Sequence, residues 1–517
     1  MTFEIVFVLL SLLGMMAALI ADKMRPGMVL FSVVVLFLCA GILTPKEMLE
    51  GFSNKGMITV ALLFLVSEGI RQSGTLGQVI KKLLPQGKTT VFKAQLRILP
   101  SVAFISAFLN NTPVVVIFAP IIKHWAKSVK LPATKFLIPL SYVTILGGIC
   151  TLIGTSTNLV VHGMILEAGY EGFTMFELGK VGIFIAIAGI IYLFIFSKRL
   201  LPDARPDTAV PDEEVEEGEK LHRVEAVLGA RFPGINKKLS DFNFQRHYGA
   251  EVKEIKTRNG QRYVNHLEDV VLREGDTLVV MADDTFIPTW GESSVFVLLT
   301  NGNDPDTSGK KKRWLALILL VLMIVGATVG ELPATKEMFP DIKLDMFFFV
   351  CITTIIMAWT KIFPPKKYTK YISWDILITI ACAFAISKAM VNSGVADCVA
   401  GFIIGLSDDY GPHVLLAILF VITNLFTELI TNNAAAALAF PLALSISAQL
   451  GVSPTPFFVV ICMAASASFS TPIGYQTNLI VQGIGNYKFT DFVRIGLPLN
   501  IITFLISIIL IPLIWNF

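Results

Sequence analysis

The sequence contains an internal duplication that spans most of its length. Three separate patterns of the first half recur in the second half, each displaced by nearly the same distance along the chain. The pairs are Ser67-x5-Ser73-Gly74 with Ser387-x5-Ser393-Gly394, Asn111 and Pro120 with Asn432 and Pro441, and Gly154-x-x-Thr157-Asn158-Leu159 with Gly474-x-x-Thr477-Asn478-Leu479. Because the three patterns hold one register, the chain is expected to fold as two copies of one unit.

Both copies are strongly apolar, which predicts a membrane protein. Of the 517 residues 54% are hydrophobic and 16% are charged, whereas soluble domains are about 25% charged. This composition excludes a soluble globule, a disordered chain and a disulfide scaffold. The net charge of +3 is too small to indicate a nucleic-acid partner. The bilayer is therefore the expected environment.

Each copy is predicted to contain five spans and one re-entrant hairpin, since a span needs about 20 apolar residues. The predicted continuous spans are 4–21, 27–44, 57–73, 179–198, 314–331, 345–362, 372–391 and 492–515. The predicted broken spans are 134–167 and 455–485, and the predicted hairpins are 93–123 and 412–449. An odd number of spans makes the two copies inverted repeats.

Charge placement predicts the orientation in a plasma (inner) membrane, with many crossings. Basic residues cluster at 71–97, 123–135 and 361–370 and beside the central polar region, which are all on one side of the membrane in the five-plus-five arrangement. The positive-inside rule then makes the central region cytoplasmic and puts both termini outside. The first hairpin would enter from the cytoplasm and the second from outside.

The polar region predicts a small α+β domain between the repeats. The expected divisions are a first repeat at 1–201, an acidic linker at 202–219, the insert at 220–300, a linker at 301–312 and a second repeat at 313–517. Alternating patterns predict strands at 222–227, 251–255 and 277–281, and a helix is expected from Asn236 to Gln245.

The polar interruptions of the hairpins and broken spans are the candidate binding site. Irregular backbone inside a membrane is tolerated where it is buried or lines a cavity, and helix N-termini attract anions. Unwound glycine carbonyls and amide oxygens suit a hard cation such as Na⁺. The candidate substrate-binding residues are Asn110, Asn111, Thr112, Thr155, Thr431, Asn432, Asn433 and Gln476. The candidate cation-binding residues are Asn111, Gly154, Asn158, Asn432, Gly474 and Asn478.

No Lys or Arg adjoins these interruptions in the sequence, so helix dipoles and a co-bound cation would have to neutralise an anion. This favours cation-coupled symport over an anion channel. Glu68, Lys388 and Glu428 are ionisable residues within predicted membrane segments, and each could be functional or a structural partner. Glu428 in particular could carry a coupling proton, and His162 is interpreted as a packing residue.

On these residues the sequence resembles the divalent anion:sodium symporter family of the ion transporter superfamily. The resemblance implies two inverted repeats with tips that contact substrate and sodium, a homodimer, and an elevator mechanism. Asn111 and Asn432 match the family's Ser-Asn-Thr tips, whereas Asn110, Thr431 and Asn433 depart from them. The chain looks more like the branch with a cytoplasmic insert that is often assigned to sulfate.

The insert also resembles a known module. The stretch from Phe244-x-x-His247-Tyr248-Gly249 to Gly275-Asp276-Thr277-Leu278 resembles the C-terminal lobe of TrkA-type regulatory domains. Such lobes dimerise, and the resemblance implies a nucleotide or another small regulator. A purely structural dimerisation module is the alternative.

The leading hypothesis is therefore uptake of a divalent oxyanion, sulfate first, driven by Na⁺. The alternatives are a dicarboxylate symporter and a Na⁺/H⁺-type antiporter, in which Glu68 or Glu428 would be essential. A potassium channel is disfavoured because no TVGYG-like filter occurs. An enzyme is also disfavoured, since no nucleophile motif or phosphate-binding loop is found.

Overall fold

The computed structural model describes residues 3–21, 23–85, 87–203, 222–229, 232–257, 261–283, 286, 290, 295–300, 310–405 and 411–517. Nearly all of the predicted acidic linker and most of the second linker lie outside these ranges. The predicted division into domains stays a prediction.

The regular secondary structure described in the first copy is all helical. Its helices are α1 (Phe3–Ala21), α2 (Pro26–Cys39), α3 (Pro45–Glu50), α4 (Lys55–Gln72), α5 (Thr75–Leu83), α6 (Val91–Ser106), α7 (Asn111–Ser128), α8 (Thr134–Gly148), α9 (Ser156–Glu167) and α10 (Gly179–Leu200).

The second copy, after the insert and its helix α11 (Phe244–Tyr248), repeats this order with one additional short helix, Pro333–Met338. Its helices are α12 (Lys310–Gly330), α13 (Pro333–Met338), α14 (Met346–Trp359), α15 (Tyr368–Tyr371), α16 (Trp374–Asn392), α17 (Val395–Gly405), α18 (Gly411–Leu429), α19 (Asn432–Leu450), α20 (Thr455–Ser466), α21 (Gln476–Gly485) and α22 (Phe489–Ile514).

The duplication is confirmed by the helices and by how they pack. Helix α2 packs against α16 while its counterpart α14 packs against α4. In the same way α7 packs against α21, and its counterpart α19 packs against α9. Each repeat therefore contacts the other through equivalent faces, which is the pattern expected of repeats related by a two-fold axis.

The predicted membrane class is confirmed as well. Eight helical stretches among the described residues are long and apolar enough to cross a bilayer. Their outward faces carry apolar side chains; Leu10 is 63% exposed and Ile509 60% exposed. Such faces suit lipid contact, because lipid replaces water as the solvent there.

The two interrupted pairs are hairpins whose tips lie inside the protein. Helices α6 and α7 meet at residues 107–110, and α18 and α19 meet at residues 430–431. Asn111 at the first tip is 0% exposed. The broken spans are also present, with α8 and α9 separated by residues 149–155 and α20 and α21 separated by residues 467–475.

Some predicted bounds were wrong. The expected span at 27–44 is a shorter helix, α2, and helices α5 and α17 were not expected. Both helices are too short to span a membrane: Thr75–Leu83 has 9 residues and Val395–Gly405 has 11. In the structure Leu76 and Ile80 bury one face of α5 and leave Lys81 and Lys82 on its outer part. Spacing of apolar residues at helical intervals is the signal for such a helix.

The insert contains an antiparallel sheet of strands β1 (His222–Leu228), β2 (Glu251–Lys256), β3 (Arg262–Tyr263), β4 (Thr277–Ala282) and β5 (Phe296–Thr300). The strand order is β3-β2-β4-β1-β5. The three predicted strands are confirmed. Phe232, Tyr248 and Phe296 pack in a separate apolar core under the sheet.

The prediction of a helix from Asn236 to Gln245 was wrong. Asn236 has a positive φ of 62°, and a 3₁₀ turn at Leu239–Asp241 is followed by extended Phe242. Helix α11 begins only at Phe244, because the Asn243 side chain caps it by accepting a hydrogen bond from the Arg246 amide at 3.0 Å.

The sheet lies directly against the membrane repeats. Lys123 of α7 donates to both carboxylate oxygens of Glu225 of β1, at 2.9 and 3.1 Å. On α21, a Cβ at Gly483 would lie 2.6 Å from the hydroxyl oxygen of Thr277. The insert therefore contacts one hairpin arm and one broken span.

Candidate substrate and cation site

The first tip (110–112) meets the second break (467–475). Asn111 Nδ2 donates to the Tyr475 hydroxyl at 2.6 Å, and that hydroxyl is 3.0 Å from the Thr155 hydroxyl in the first break (149–155). The Ser106 hydroxyl donates to Asn111 Oδ1 at 2.8 Å. The fold thus brings together a hairpin tip and both broken spans, which are far apart in the sequence.

The second tip (431–433) meets the start of α9 in the same manner. Asn432 Nδ2 donates to the Thr157 hydroxyl at 2.7 Å. Asn433 Oδ1 accepts from the Ser156 hydroxyl at 3.1 Å. Each tip consequently contacts a broken span of the other repeat, which follows from the two-fold relation between them.

Two equivalent asparagines shape the backbone of the breaks. Asn158 and Asn478 are both 0% exposed, and each Nδ2 donates to the carbonyl oxygens ten and seven residues upstream. The distances are 3.4 and 2.8 Å for Asn158 and 2.8 and 3.2 Å for Asn478. The amides therefore replace the helical hydrogen bonds that these carbonyls lack.

Two equivalent threonines tie each break to its own hairpin. The Thr151 hydroxyl donates to the carbonyl of Ala107, and the Thr471 hydroxyl donates to the carbonyl of Glu428 at 3.1 Å. Each hydroxyl also accepts from the amide of Gly154 or Gly474, at 3.1 and 3.4 Å. Hairpin turn and break are thereby held as one unit in each repeat.

The glycines of the breaks are required by close approach. A Cβ at Gly154 would lie 2.5 Å from the carbonyl oxygen of Gly148. A Cβ at Gly474 would lie 2.1 Å from the hydroxyl oxygen of Ser468 and 2.2 Å from the carbonyl oxygen of Thr427. Both contacts are far shorter than real Cβ contacts, so only glycine fits without a backbone shift.

The remaining candidates lie around these contacts. The Thr112 hydroxyl is 3.4 Å from Gln476 Oε1. Asn110 lines a cavity of about 10 Å³, at the lower limit for holding one water, together with Ser67 of α4 and Ser156 of α9. This cavity lies between the first tip, the first break and α4.

The ionisable candidates have different surroundings in the structure. Glu68 pairs with Arg71 on its own helix at 2.7 Å, and Lys388 is exposed. Glu428 accepts from the Ser470 amide at 2.9 Å and from Asn500 Nδ2 at 2.7 Å, which places a carboxylate beneath the second break. His162 packs against Gly172, where a Cβ would lie 2.3 Å from its ring.

Three residues at the site were missed by sequence reasoning. Tyr475 is the counterpart of the candidate Thr155 in the second repeat, so the duplication could have indicated it. Asn500 and Ser141 lie within continuous apolar helices, where no pattern marks them. The Ser141 hydroxyl donates to Asn478 Oδ1 at 2.7 Å and lies 2.8 Å from the Thr477 hydroxyl.

The fold and the paired tips and breaks define a membrane transporter made of two repeats rather than an enzyme. The family model described as citrate transporter matches residues 16–340 and 338–516. The chain belongs to this family, and the resemblance to divalent anion:sodium symporters is confirmed. The likeness of the insert to TrkA-type lobes, and the small regulator it implies, stay predictions.

Three relatives match this chain over different shares of its length. An uncharacterized transporter of Synechocystis is 30% identical over 94% of this chain and 93% of its own length. Sodium/sulfate cotransporter 2 of Chlamydomonas reinhardtii is 30% identical over 54% of this chain and 31% of its own length. Human solute carrier family 13 member 4 is 25% identical over 30% of this chain and 24% of its own length.

Proposed function

We propose that the protein is a cation-coupled symporter, with Na⁺ as the cation, that takes up a divalent oxyanion, sulfate first. The observation that carries this proposal is a pair of hairpin tips rich in neutral hydrogen-bond donors. The asparagine side chains of these tips hydrogen-bond to the second break and to the start of α9. The sodium/sulfate names of the relatives support the substrate and the cation.

Neutral tips suit a small anion that is carried together with a cation. Helices α7 and α19 begin at Asn111 and Asn432. At a helix N-terminus the backbone N–H groups and the helix dipole favour negative charge. Among the described hydrogen bonds, no Lys or Arg side chain bonds to residues 110–112 or 431–433. A bound cation would then supply the missing positive charge.

The proposed substrate ligands are the eight tip and break residues predicted from the sequence. Asn111 and Asn432 are central to this set, and their side chains reach the opposite repeat. The proposed cation ligands are oxygens at Asn111, Gly154, Asn158, Asn432, Gly474 and Asn478. Neutral oxygens of this kind suit Na⁺, whereas Ca²⁺ sites rely on carboxylates.

We also propose an elevator movement in a homodimer with the insert in the cytoplasm. Thr151 and Thr471 hydrogen-bond each break to its hairpin. In the proposed movement each hairpin and its break move together as a rigid body past α4 and α16. Light scattering of the purified protein tests the dimer. A mass of one chain would contradict it.

The first experiment is uptake of labelled sulfate into proteoliposomes, with an inward Na⁺ gradient or with K⁺ instead. We expect that sulfate uptake requires Na⁺ and that excess succinate or citrate does not reduce it. Asn111→Ala and Asn432→Ala should each abolish uptake while the protein remains monodisperse. Asn392→Ala is the control, because Asn392 is exposed and its side chain bonds to Ile42 and Glu47. Full uptake by both tip variants would refute the site.

A second candidate is a symporter of carboxylates, which the citrate-transporter name of the family favours. The same assay separates the two, since citrate or succinate would then be taken up and would compete with sulfate. Antiport is the third outcome. In that case no anion would be carried, and proton movement would depend on Glu428.

A further inference from the structure

The two repeats differ in what covers the second helix of each broken span. Helices α9 and α21 are counterparts, and Leu159 and Gly163 of α9 match Leu479 and Gly483 of α21. In the first repeat, α9 packs against α4. A Cβ at Gly56 of α4 would lie 2.6 Å from the Leu159 carbonyl oxygen, so the two helix backbones are in close contact.

The side chain of Asn54, which caps α4, completes this contact. Its Oδ1 accepts from the Gly56 amide at 2.8 Å, and its Nδ2 donates to the Gly163 carbonyl at 3.3 Å. A Cβ at Gly163 would collide with Asn54 Oδ1. The later part of α9 is therefore held by the start of a helix that stays fixed in the proposed movement.

In the second repeat, the insert takes the place of that fixed helix. The counterpart of α4 is α16, but among the described residues α21 has no comparable packing against α16. Instead, a Cβ at Gly483 would lie 2.6 Å from the hydroxyl oxygen of Thr277, and a Cβ at Gly275 would lie 3.7 Å from the Leu479 side chain. Residues 275–277 of the insert thus cover the face of α21 that corresponds to the α4-binding face of α9.

An ion pair and an apolar side chain hold the insert on the hairpin. Lys123 of α7 donates to Glu225 of β1 at 2.9 Å, and both side chains are largely buried. Val227 of the same strand is 1% exposed and packs in the apolar core of the membrane repeats. The Thr277 hydroxyl, in contrast, is buried without a hydrogen-bond partner among the described residues. An unpaired hydroxyl weakens a contact, as suits a surface that has to separate.

The insert also touches the fixed part of the protein. Asn236 Nδ2 donates to the Lys23 carbonyl, just before α2, at 3.1 Å. Helix α2 in turn packs against α16. The insert therefore bridges two groups of helices that move past each other in the proposed mechanism. When they move, the bridge must open at one of its ends.

The packing of the two fixed helices indicates what the opposite state requires. Helix α4 packs against the broken span of its repeat through α9, whereas α16 packs against the hairpin of its repeat through α19. Because the repeats are related by a two-fold axis, a state open to the other side follows when these two arrangements are exchanged. Helix α21 would then pack against α16 through Leu479 and Gly483, on the face that the insert covers here.

We propose that the insert is an autoinhibitory brake on transport. It covers the face of α21 that carries Leu479 and Gly483, and it must leave this face before α16 can take its place. The brake acts on the movement and does not touch the hairpin tips. This inference rests on the proposed movement and adds a means of regulating it.

A disulfide that keeps the insert on α21 tests the proposal. The Cβ of Thr277 is 3.9 Å from a Cβ built at Gly483, within the range of about 3.5–4.5 Å found in disulfides. The double variant Thr277→Cys with Gly483→Cys is reconstituted in proteoliposomes and oxidised. We expect sulfate uptake to be lost on oxidation and to return on reduction. Each single variant, treated in the same way, controls for the native cysteines.

Every outcome of this experiment bears on the brake. Full uptake by the cross-linked protein would overturn it and leave the proposed symport standing. If mass spectrometry of the peptides finds no disulfide, the insert does not lie on α21 and the brake is also overturned. Absence of uptake by the unchanged protein would refute the proposed function and the brake with it.

A variant that weakens the hold of the insert should have the opposite effect. Glu225→Gln removes the charge that pairs with Lys123, so the maximal rate of uptake should rise about threefold or more as the insert leaves α21 more often. Glu251→Gln is the matched control, because Glu251 pairs with Lys253 of its own strand and is 53% exposed. Its rate should not change. Size-exclusion chromatography checks that both variants fold, and a rate that stays the same or falls in Glu225→Gln would contradict the brake.

Discussion

Glu225→Gln is expected to loosen the contact between the insert and the first hairpin. Glu225 lies between two lysines, with its carboxylate 2.9 Å from Lys123 of α7 and 3.3 Å from Lys256 of β2. Only 16% of its side chain is exposed. Glutamine keeps the shape of the side chain, but it leaves two buried cations without their shared counter-charge.

The magnitude follows from the pKa of Glu225. Burial opposes its ionisation, yet Lys123 and Lys256 outweigh burial and lower the pKa from 4.5 to about 2. That difference corresponds to about 3 kcal/mol, which agrees with the cost of about 3–5 kcal/mol for breaking a buried ion pair. Because the folded-state pKa is the lower one, this contribution is complete above about pH 4.5 and disappears as the pH falls toward 2.

Hydrogen exchange of the β1 and β4 amides in the full-length protein measures this contribution. The unchanged protein should lose protection as the pH falls from 5 toward 2, whereas Glu225→Gln should be weakly protected at every pH. Glu251→Gln is the matched control, because Glu251 pairs with Lys253 at 2.7 Å but is 53% exposed. Such pairs contribute at most about 1 kcal/mol. Equal protection in both variants at pH 7 would refute the reasoning.

Three further predictions concern the breaks. Gly474→Ala should abolish uptake because its Cβ would meet a backbone carbonyl at 2.2 Å, while Gly14→Ala, with nothing within 4 Å, should be active. Tyr475→Phe should raise the KM for substrate, since the tip asparagine loses a buried partner worth about 1–3 kcal/mol; an unchanged KM would contradict this. Glu428→Gln should lower uptake and thermal stability, whereas Glu68→Gln, whose partner lies on its own helix, should change both little.

The sequence predicted the helices and the breaks of this fold well, because the same register recurs in both copies. Asn111 and Asn432 could be placed at the tips because each follows an apolar run and precedes a new helix. Ser141 could not be identified, since it lies inside α8, whose other residues are all buried. Its role depends on a contact with Asn478, which belongs to the other repeat. Contacts of that kind arise only from the tertiary fold.

The contact between the insert and the first hairpin also could not be predicted from the sequence. Lys123 belongs to a basic segment that reads as surface charge, and Glu225 belongs to a strand with alternating polarity. Neither pattern specifies a partner. Only the folded chain brings the two within 2.9 Å and buries them between the sheet and the hairpin.

The two repeats keep the hydrogen bonds that shape the backbone and differ in the side chains around it. Asn158 and Asn478 make the same bonds, but the neighbours of the breaks have diverged; the differing pairs are Ser141 and Ile461, Gly148 and Ser468, and Ala107 and Glu428. Inverted repeats with identical side chains would present the same site to both sides of the membrane. Divergence at these positions makes the two breaks chemically distinct. Glu428 places a carboxylate beneath the second break, whereas Ala107 at the equivalent position of the first repeat carries no charge, so the two breaks offer different electrostatic environments.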